Sequence, residues 1–315
     1  DYPHVGEVSA KGLLQNFDLE KYSNELELLQ KQSVGLSHQS YNIDGHQWAL
    51  ALDAATQVSC YRNDLITSHP KSWDDLFQLS KNNKVIWPLK PVHAISSFYS
   101  IYNNITEEFE PSNKNFIQKD FGVKTLQMMK QISQYLPSEC FGMDPIKTAE
   151  ILSEHNEFFY SPYTYGFSNY SRTGYRKNLL TYGNVIDLSG KGPCGTHLGG
   201  TGIAISNKSK NKELALEYSF WIAGSECQQT IFYTSGGQPG NSDAWENNNI
   251  NFETNNFFKN TRLTLDQAWI RPRHNGYMKF QDESGNIINE YLQSNVNEVN
   301  VIDKLKLMYA ESFEE

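Results

Sequence analysis

The chain has 315 residues, which is enough for two domains or for one large domain. Its 27 Lys and Arg residues are outnumbered by 36 Asp and Glu residues, and the net charge of −9 argues against a nucleic-acid partner. The cysteines Cys60, Cys140, Cys194 and Cys227 lack C-x-x-C spacing, so they predict neither a zinc site nor a redox motif. No stretch of the sequence is long and apolar enough to be a membrane-spanning helix.

Aromatic residues make up 13% of the chain, with 18 Tyr, 17 Phe and 6 Trp. An excess of Tyr favours amphipathic surfaces that both stack and form hydrogen bonds. The alternative is a general bias of the source genome toward Tyr, Asn and Lys, which the tract ENNNINFETNN at 246–256 supports. Both interpretations stay open at this point.

The first half of the chain predicts a series of short elements. Asp44-Gly45 predicts a turn that leads into a strand. Ser72 and Asp75 have the spacing of a capping box, which predicts the start of a helix. The apolar run KVIWPL predicts a buried strand over 84–89, and the periodicity of 116–136 predicts a helix.

An aromatic segment, NEFFYSPYTYGFSNY, occupies residues 156–170 and reads as a loop because Pro162 and Gly166 interrupt it. Sugars present C–H faces to aromatic rings and hydroxyl groups to short polar side chains, so such a mixture suits a carbohydrate site. The candidates in this segment are Tyr160, Tyr163, Tyr165 and Tyr170. The alternative is a Tyr-rich connector that only fills a crevice.

Glycines are dense at 189–200, in the stretch SGKGPCGTHLGG. A phosphate-binding loop is excluded because Gly192 stands where Ser or Thr is required, and the pair at 200 and 202 lacks the third glycine of a dinucleotide fingerprint. A glycine-rich loop can still place backbone N–H groups against a polar ligand. Gly199, Gly200 and Thr201 are the candidates for that role.

A strand is predicted over 203–205, followed by a helix that ends at Gly224. The apolar residues expected on one face of this helix are Leu214, Tyr218, Trp221 and Ile222. Ser225 and Gln228 have capping-box spacing and predict a second helix, which stops at the glycine pair 236–237. Further helices are predicted at 264–269 and over 287–308.

The order of these segments resembles the sugar-type extracellular solute-binding proteins of ABC transporters, the group that includes maltose-binding protein. The motifs that carry the resemblance are ALDAATQVSCYRNDL at 51–65, the aromatic segment at 156–170, GGTGIAIS at 199–206 with NKELALEY after it, and GGQP at 236–239. In that family the first, third and fourth of these cross between two lobes. The resemblance implies an α/β protein with the two-lobe, periplasmic-binding-protein-like fold of type II.

The resemblance also divides the chain. The first lobe is expected to contain residues 1–57 and the return segment 203–237, and the second lobe residues 58–202 and the C-terminal helices in 238–315. The opening DYPHVGEVSAKGLLQNFD resembles the exit from the second or third strand of the family, so we expect a first lobe that lacks its opening strands, and a segment upstream. Hinges are expected near 56–59, 202–204 and 236–239.

The resemblance implies further ligand-binding residues. Those expected in the cleft are Asp53, Gln57, Trp87, His93 and Gln238. The stretch RPRHNGYMKFQ at 271–281 resembles a signature of one subgroup, in which Arg271 and Arg273 are candidates because a planar guanidinium group suits a carboxylate. The alternatives remain that Asp53 caps a turn, that Gln57 binds strand backbone, that His93 is a surface or satisfied residue, and that the arginines hold the lobes together.

The implied function is capture of a mono- or oligosaccharide between the lobes and its delivery to the membrane permease of an ABC importer. The alternative is a secreted glycan-active enzyme, which would need two positioned carboxylates. Glu154, Glu157 and Asp187 form no recognisable pair in the sequence, so we expect a binding protein that is not an enzyme. No cofactor, metal or nucleic acid is expected, and the protein should be a monomer, extracellular or periplasmic in a bacterium, with a lipid anchor through an upstream segment left open.

Overall fold

The computed structural model describes residues 1–66, 68–106, 110, 114 and 117–314. The helices are α1 (Pro3–Ala10), α2 (Ser23–Lys31), α3 (Trp73–Lys81), α4 (Pro91–Ile105), α5 (Lys119–Ser133), α6 (Pro145–Glu154), α7 (Lys212–Ala223), α8 (Ser225–Cys227, continued by a π-helical turn Gln228–Phe232), α9 (Ser242–Glu246), α10 (Asn248–Glu253), α11 (Phe257–Asp266), α12 (Tyr277–Gln293) and α13 (Glu298–Glu311). The strands are β1 (Leu14–Gln15), β2 (Asn42–Ile43), β3 (His46–Gln47), β4 (Leu50–Ala51), β5 (Ala55–Tyr61), β6 (Tyr160–Tyr165), β7 (Thr181–Gly183), β8 (Leu198–Gly199), β9 (Gly202–Ile203) and β10 (Ile205–Ser206).

The longest strand, β5, is the centre of the main sheet. It pairs antiparallel with β6 on one side and with β7 on the other, and its first residues pair antiparallel with β8. The register to β6 shifts between Val58 and Cys60, and Pro162 lies at this irregularity, where the absence of a backbone N–H is tolerated. The predicted loop at 156–170 is therefore wrong over 160–165, because these β-favouring tyrosines form β6.

A small body is built from two distant parts of the chain. The strand pairs β1–β10 and β4–β9 are antiparallel, and α7 packs against them. Their core contains Phe17, Leu50, Ile205, Leu216 and Ala223. Residues from both predicted first-lobe segments thus meet in this cluster, whereas α1 packs against α12 of the larger body.

Two further clusters of buried apolar residues form the core of the larger body. One cluster surrounds α4, α5, α12 and α13, with Trp87, Tyr160 and Tyr163 inside it. A second surrounds β5, β7, α6 and α9 to α11, and it includes Tyr2 and Tyr170. Helix α12 approaches α4 closely at Gly285, where an added Cβ would lie 2.5 Å from the Pro91 carbonyl oxygen.

Three stretches of backbone lie side by side where the two bodies join. The N–H groups of Leu52 and Asp53 donate to the Thr201 carbonyl, at 2.9 and 3.2 Å, and Gly240 donates to the Leu52 carbonyl at 3.0 Å. Asp53 also forms an isolated bridge with Pro239. The stretch expected as the first hinge, 56–59, lies inside β5 instead, because the chain meets the other crossings earlier, at 52–53.

Of the two capping boxes predicted from the sequence, one is present in the structure. The capping box at α3 is confirmed, since Ser72 Oγ accepts from the Asp75 N–H at 3.1 Å and the Asp75 carboxylate accepts from the Ser72 N–H. The box at Ser225 and Gln228 is wrong: α8 already includes Ser225, whose hydroxyl donates to Asp243 at 2.6 Å, while Gln228 donates to the Ile222 carbonyl.

Two further predictions need correction. The run at 84–89 is extended and buried but forms only a single bridge, from Val85 to Tyr160, among the described residues. On α7 three of the four residues of the predicted apolar face, Leu214, Tyr218 and Trp221, are exposed and Ile222 is half-buried. A different stripe, which includes Leu216 and Ala223, packs on the small core. The helix predicted over 116–136 is found as α5, and residue 116 itself lies outside the described residues.

Candidate ligand-binding site

A cavity of about 450 Å³ opens beside the three crossing stretches. Its lining includes eight of the residues proposed from the sequence: Asp53, His93, Tyr165, Gly199, Gly200, Thr201, Gln238 and Arg271. The other lining residues are Asp1, Ala55, Lys90, Val92, Ser96, Asp144, Pro145, Ile146, Gly166 and Phe167. Residues of all three crossings thus meet residues of the larger body at this cavity.

A second cavity, of about 550 Å³, lies between α1, the β2–β3 turn and residues 270–275. It is larger than the first, but its lining contains no residue of the crossing at Thr201 or of the aromatic segment. Arg271 borders both cavities, and Arg273 borders only the second. We therefore take the first cavity as the candidate site.

Asp53 is the carboxylate at the crossing. Its Oδ1 accepts the Thr201 N–H at 2.5 Å, so the first crossing is tied to the second through a side chain as well as through backbone. Burial raises the pKa of Asp53 from 3.8 to about 6, and hydrogen bonds from Thr201 partly oppose that increase. The Thr201 N–H is consequently engaged by Asp53 and is not free for a ligand.

The glycines at 199 and 200 are required by close approach of other groups. A Cβ at Gly199 would lie 2.6 Å from the Tyr165 ring. Gly200 has φ +114°, and a Cβ there would lie 2.8 Å from the Asp53 carbonyl oxygen. These positions therefore let the second crossing pass next to both the aromatic ring and the carboxylate.

Two aromatic rings form part of the wall. Tyr165 is at the end of β6, with its hydroxyl group donating to the His197 carbonyl at 3.2 Å and the His93 ring 6.1 Å away in an edge-on arrangement. Burial raises the pKa of Tyr165 to about 12, so the phenol stays protonated. The second ring is that of Phe167, which was not among the residues predicted from the sequence. Its position next to Tyr165 and Gly166 in the same aromatic segment could have indicated it.

Gln238 positions the wall of the cavity. Its amide nitrogen donates to the carbonyls of Ala54 and Gly166, both at 3.2 Å, and its oxygen accepts the Ser168 N–H at 2.9 Å. The side chain thus connects the third crossing to the first and to the end of β6. Its hydrogen-bonding groups are used within the protein.

The charged residues of the lining beyond Asp53 are Asp1, two residues at helix starts, and Arg271. Lys90 and Asp144 are the N-cap residues of α4 and α6, each followed by a proline at the first helical position. Arg271 is 7% exposed, and its Nε and Nη1 donate to Tyr2 Oη at 3.0 Å and to Gln281 Oε1 at 3.1 Å. Neither Lys90 nor Asp144 was singled out from the sequence, since single charged residues before Pro carry no distinctive signal.

His93 lines the cavity near Lys90. Burial lowers the pKa of His93 to about 4, so the ring is neutral at physiological pH. Its Nδ1 is buried without a hydrogen-bond partner in the described structure. The neighbouring Ser96 hydroxyl lies 2.8 Å from His197 Nδ1 and donates to the Val92 carbonyl.

Six proposed ligand-binding residues lie away from the cavity. Those inside the protein core or its hydrogen-bond networks are Gln57, Trp87, Tyr160, Tyr163 and Tyr170, and the sixth is Arg273. Gln57 is fully buried and bonds to the hydroxyl groups of Ser97 and Ser100, at 3.0 and 2.6 Å.

Tyr160 and Tyr163 lie in the apolar core, and the other members of this group have hydrogen-bond partners within the protein. The Trp87 indole donates to Ser97 at 3.1 Å, and the Tyr163 ring lies 5.7 Å from that indole. The Tyr170 hydroxyl donates to Glu150 at 2.5 Å. Arg273 Nη1 donates to the carbonyls of residues 39, 40 and 42, at 3.3, 2.8 and 2.8 Å, and so holds that loop in place.

Other sequence features have structural explanations. In the glycine-dense loop, the Asp187 carboxylate accepts the N–H groups of Ser189, Gly190 and Gly192, so the loop closes on itself. All four cysteines are free. Within the described residues no group of three or more His, Cys, Asp or Glu side chains could hold a metal ion, and no helix there has the length and apolar character that a membrane crossing needs.

Comparison with known proteins agrees with this architecture. A family model for bacterial extracellular solute-binding proteins matches residues 1–257. The chain belongs to that family. A search of curated protein sequences gives no significant match for this solute-binding protein.

Solved structures show the same fold. Maltose-bound MalE3 of T. maritima superposes with a TM-score of 0.82 at 14% identity, covering 98% of this chain and 82% of that one. An ABC-transporter solute-binding protein of Agrobacterium radiobacter K84 with ribitol gives 0.80 at 18% identity, covering 100% and 83% of the two chains. One of Thermotoga lettingae TMO with α-D-tagatose gives 0.78 at 14% identity, covering 98% and 82%. The predicted two-lobe fold of this solute-binding protein is thereby confirmed.

Proposed function

We propose that the protein captures a carbohydrate in the cavity at the crossings and delivers it to the membrane permease of an ABC importer. The observation that carries this proposal is the composition of the cavity wall. The partly exposed rings of Tyr165 and Phe167 are combined with carboxylates and cations that come from both sides of the crossings. Flat apolar rings suit the C–H faces of a sugar, and charged groups form strong hydrogen bonds with its hydroxyl groups.

The crossings suggest how capture works. Asp53, Thr201 and Gln238 each belong to a crossing and line the cavity. A ligand that contacts these residues and also Lys90 or Asp144 has more contacts when the bodies are close together. Such a ligand selects the closed arrangement, which is the form that a permease can recognise.

Capture without turnover is part of the proposal. A glycosidase needs one carboxylic acid and a second carboxylate free to act at the reacting carbon. In the cavity, Asp53 is bonded to Thr201 and Asp144 caps α6 through the Lys147 N–H, while Glu154, Glu157 and Asp187 are absent from the lining. Asp53 and Asp144 are therefore each held by a backbone N–H, which does not favour the free pair of carboxyl groups that a glycosidase needs.

A ligand screen tests the proposal. Maltose, ribitol, tagatose and mannitol, which occur in similar structures, should be included together with monosaccharides and oligosaccharides. A ligand that binds the folded state raises Tm in proportion to the logarithm of its concentration above Kd. Calorimetry should confirm one site, and chromatography of the recovered sugar should show it unchanged. Release of a product would refute capture without turnover, and binding of non-carbohydrate solutes alone would refute the ligand class.

A further inference from the structure

Each carboxylate of the cavity either accepts a backbone N–H or is exposed to water. Asp53 accepts the Thr201 N–H at 2.5 Å. Asp144 accepts the Lys147 N–H at 2.8 Å at the start of α6, where the positive end of the helix offsets its charge. The third acidic residue of the lining, Asp1, is exposed, so water screens its charge.

The buried cation of the cavity has neither an opposite charge beside it nor exposure to water. Arg271 is more than nine-tenths buried, yet the partners of its side chain, Tyr2 and Gln281, are neutral. Lys90 is exposed at the cavity rim, and in the described part of the chain neither residue takes part in an ion pair. A buried guanidinium group without a counter-ion is unfavourable, because the charge has lost water without gaining an opposite charge.

The start of α4 adds to this positive character. The helix runs over Pro91–Ile105 and has no side-chain cap. Val92 and His93 in its first turn line the cavity. Pro91 has no N–H, and the N–H groups of His93 and Ala94 donate to the Lys90 carbonyl at 2.7 and 3.0 Å, so the contribution of this helix is its dipole, which favours an anion at its N-terminal end.

We propose that the ligand of this cavity is an acidic carbohydrate, such as a uronate, whose carboxylate binds Arg271 with help from Lys90 and the start of α4. This inference rests on the proposed function and specifies the ligand of the same site. A carboxylate would supply the counter-ion that Arg271 lacks, in a charge-assisted hydrogen bond to the guanidinium group. Asp53 and Asp144 would remain to accept hydrogen bonds from the hydroxyl groups of the sugar.

Arg273 provides a matched control. It has the same charge, lies two residues from Arg271, and borders only the second cavity. Its Nη1 is occupied by three backbone carbonyls. Removing its charge should therefore leave the preference for acid over neutral sugar unchanged.

The experiment compares two sugar pairs that differ only at C6: D-galacturonate with D-galactose, and D-glucuronate with D-glucose. Calorimetry near neutral pH should show at least one uronate binding about 10-fold or more tightly than its neutral partner. Arg271→Gln should reduce uronate affinity by about 10- to 100-fold and change affinity for the neutral sugar much less, whereas Arg273→Gln keeps the wild-type ratio. Because Arg271 is buried and its variant could fail to fold, Lys90→Gln at the exposed rim serves as a second test and should also lower the ratio.

The outcomes separate this inference from the proposed function. If neutral sugars bind as tightly as the uronates, or if Arg271→Gln and Lys90→Gln lower both affinities equally, the ligand is a neutral carbohydrate and only this inference is overturned. If neither pair nor any other carbohydrate binds while other solutes do, the carbohydrate function fails and the inference fails with it.

Discussion

Replacing Asp53 with Asn tests the electrostatics of the crossing directly. The carboxylate is ordinarily ionised above pH 3.8, but burial raises its pKa to about 6 in the folded protein. Between these two values the folded state binds more protons than the unfolded state, so this residue makes the free energy of unfolding decrease as pH rises from about 4 to about 6. Above that range the loss is complete and stays constant.

The magnitude follows from the shift. About two pH units correspond to roughly 3 kcal/mol, at about 1.4 kcal/mol per unit. Part of the Asp53 side chain is open to the cavity, so solvent screening reduces this to about 1–2 kcal/mol. Asn removes the charge but keeps an oxygen that can accept the Thr201 N–H, so the geometry of the crossing should survive.

We therefore expect Asp53→Asn to be more stable than the wild type by about 1–2 kcal/mol at neutral pH, with the difference vanishing near pH 4. Denaturant unfolding of both proteins at several pH values measures this difference. Because the two proteins differ only at residue 53, subtracting their free energies of unfolding at each pH removes the contributions of the other titrating groups. Ligand affinity should fall in the same variant, because an amide accepts hydrogen bonds less strongly than a carboxylate. A variant that is less stable at neutral pH, or a stability difference that does not depend on pH, would contradict this account.

Further substitutions test the wall, the crossing and the fold. Tyr165→Ala should weaken ligand binding by roughly 1–3 kcal/mol, since a buried aromatic contact is lost, and unchanged calorimetric affinity would exclude a role for the ring. Tyr170→Ala should leave affinity unchanged but lower stability by about 3–5 kcal/mol, because the ring lies in the core and its hydroxyl bonds to Glu150; a loss of affinity in the folded variant would contradict its assignment to the core. Gly200→Ala should destabilise the protein by about 1–3 kcal/mol, because residue 200 has a positive φ and an added Cβ would be too close to Asp53. An unchanged Tm would contradict this, since it would mean that the backbone accommodates the added Cβ. Ser72→Ala should lower the free energy of unfolding by about 1 kcal/mol, because the N-cap of α3 is lost. The ligand affinity of this variant should be unchanged and serves as the control.

Several features were determined by the sequence alone because they depend on neighbouring residues. The cap of α3 needs only Ser72 and Asp75 at the correct spacing, and the end of α7 needs only Gly224. The family motifs located the segments that cross between the two bodies. They also placed eight candidate residues on one cavity, since the order of segments fixes which loops meet.

The faces of the elements were decided only by tertiary structure. On α7 two stripes are apolar enough to be buried, and the packing partner at the small core selected the one with Leu216. Tyr163 and Tyr165 share a face of β6, so alternation along the strand cannot separate them. Tyr163 is covered by Trp87 in the core, whereas Tyr165 reaches past it to His93 at the start of α4 and borders the cavity.

The two arginines show the same division between local and tertiary information. Pro272 restricts the backbone between Arg271 and Arg273, and both side chains carry the chemistry of a ligand-binding residue. Their different roles depend on what lies opposite each of them: Tyr2 and Gln281 hold Arg271 at the cavity, while three carbonyls of the 39–42 loop hold Arg273 away from it. Tyr2 and the three carbonyl groups are more than 200 residues away along the chain from the arginine that they contact, whereas Gln281 is near Arg271 in sequence. Only the folded structure brings the distant partners together.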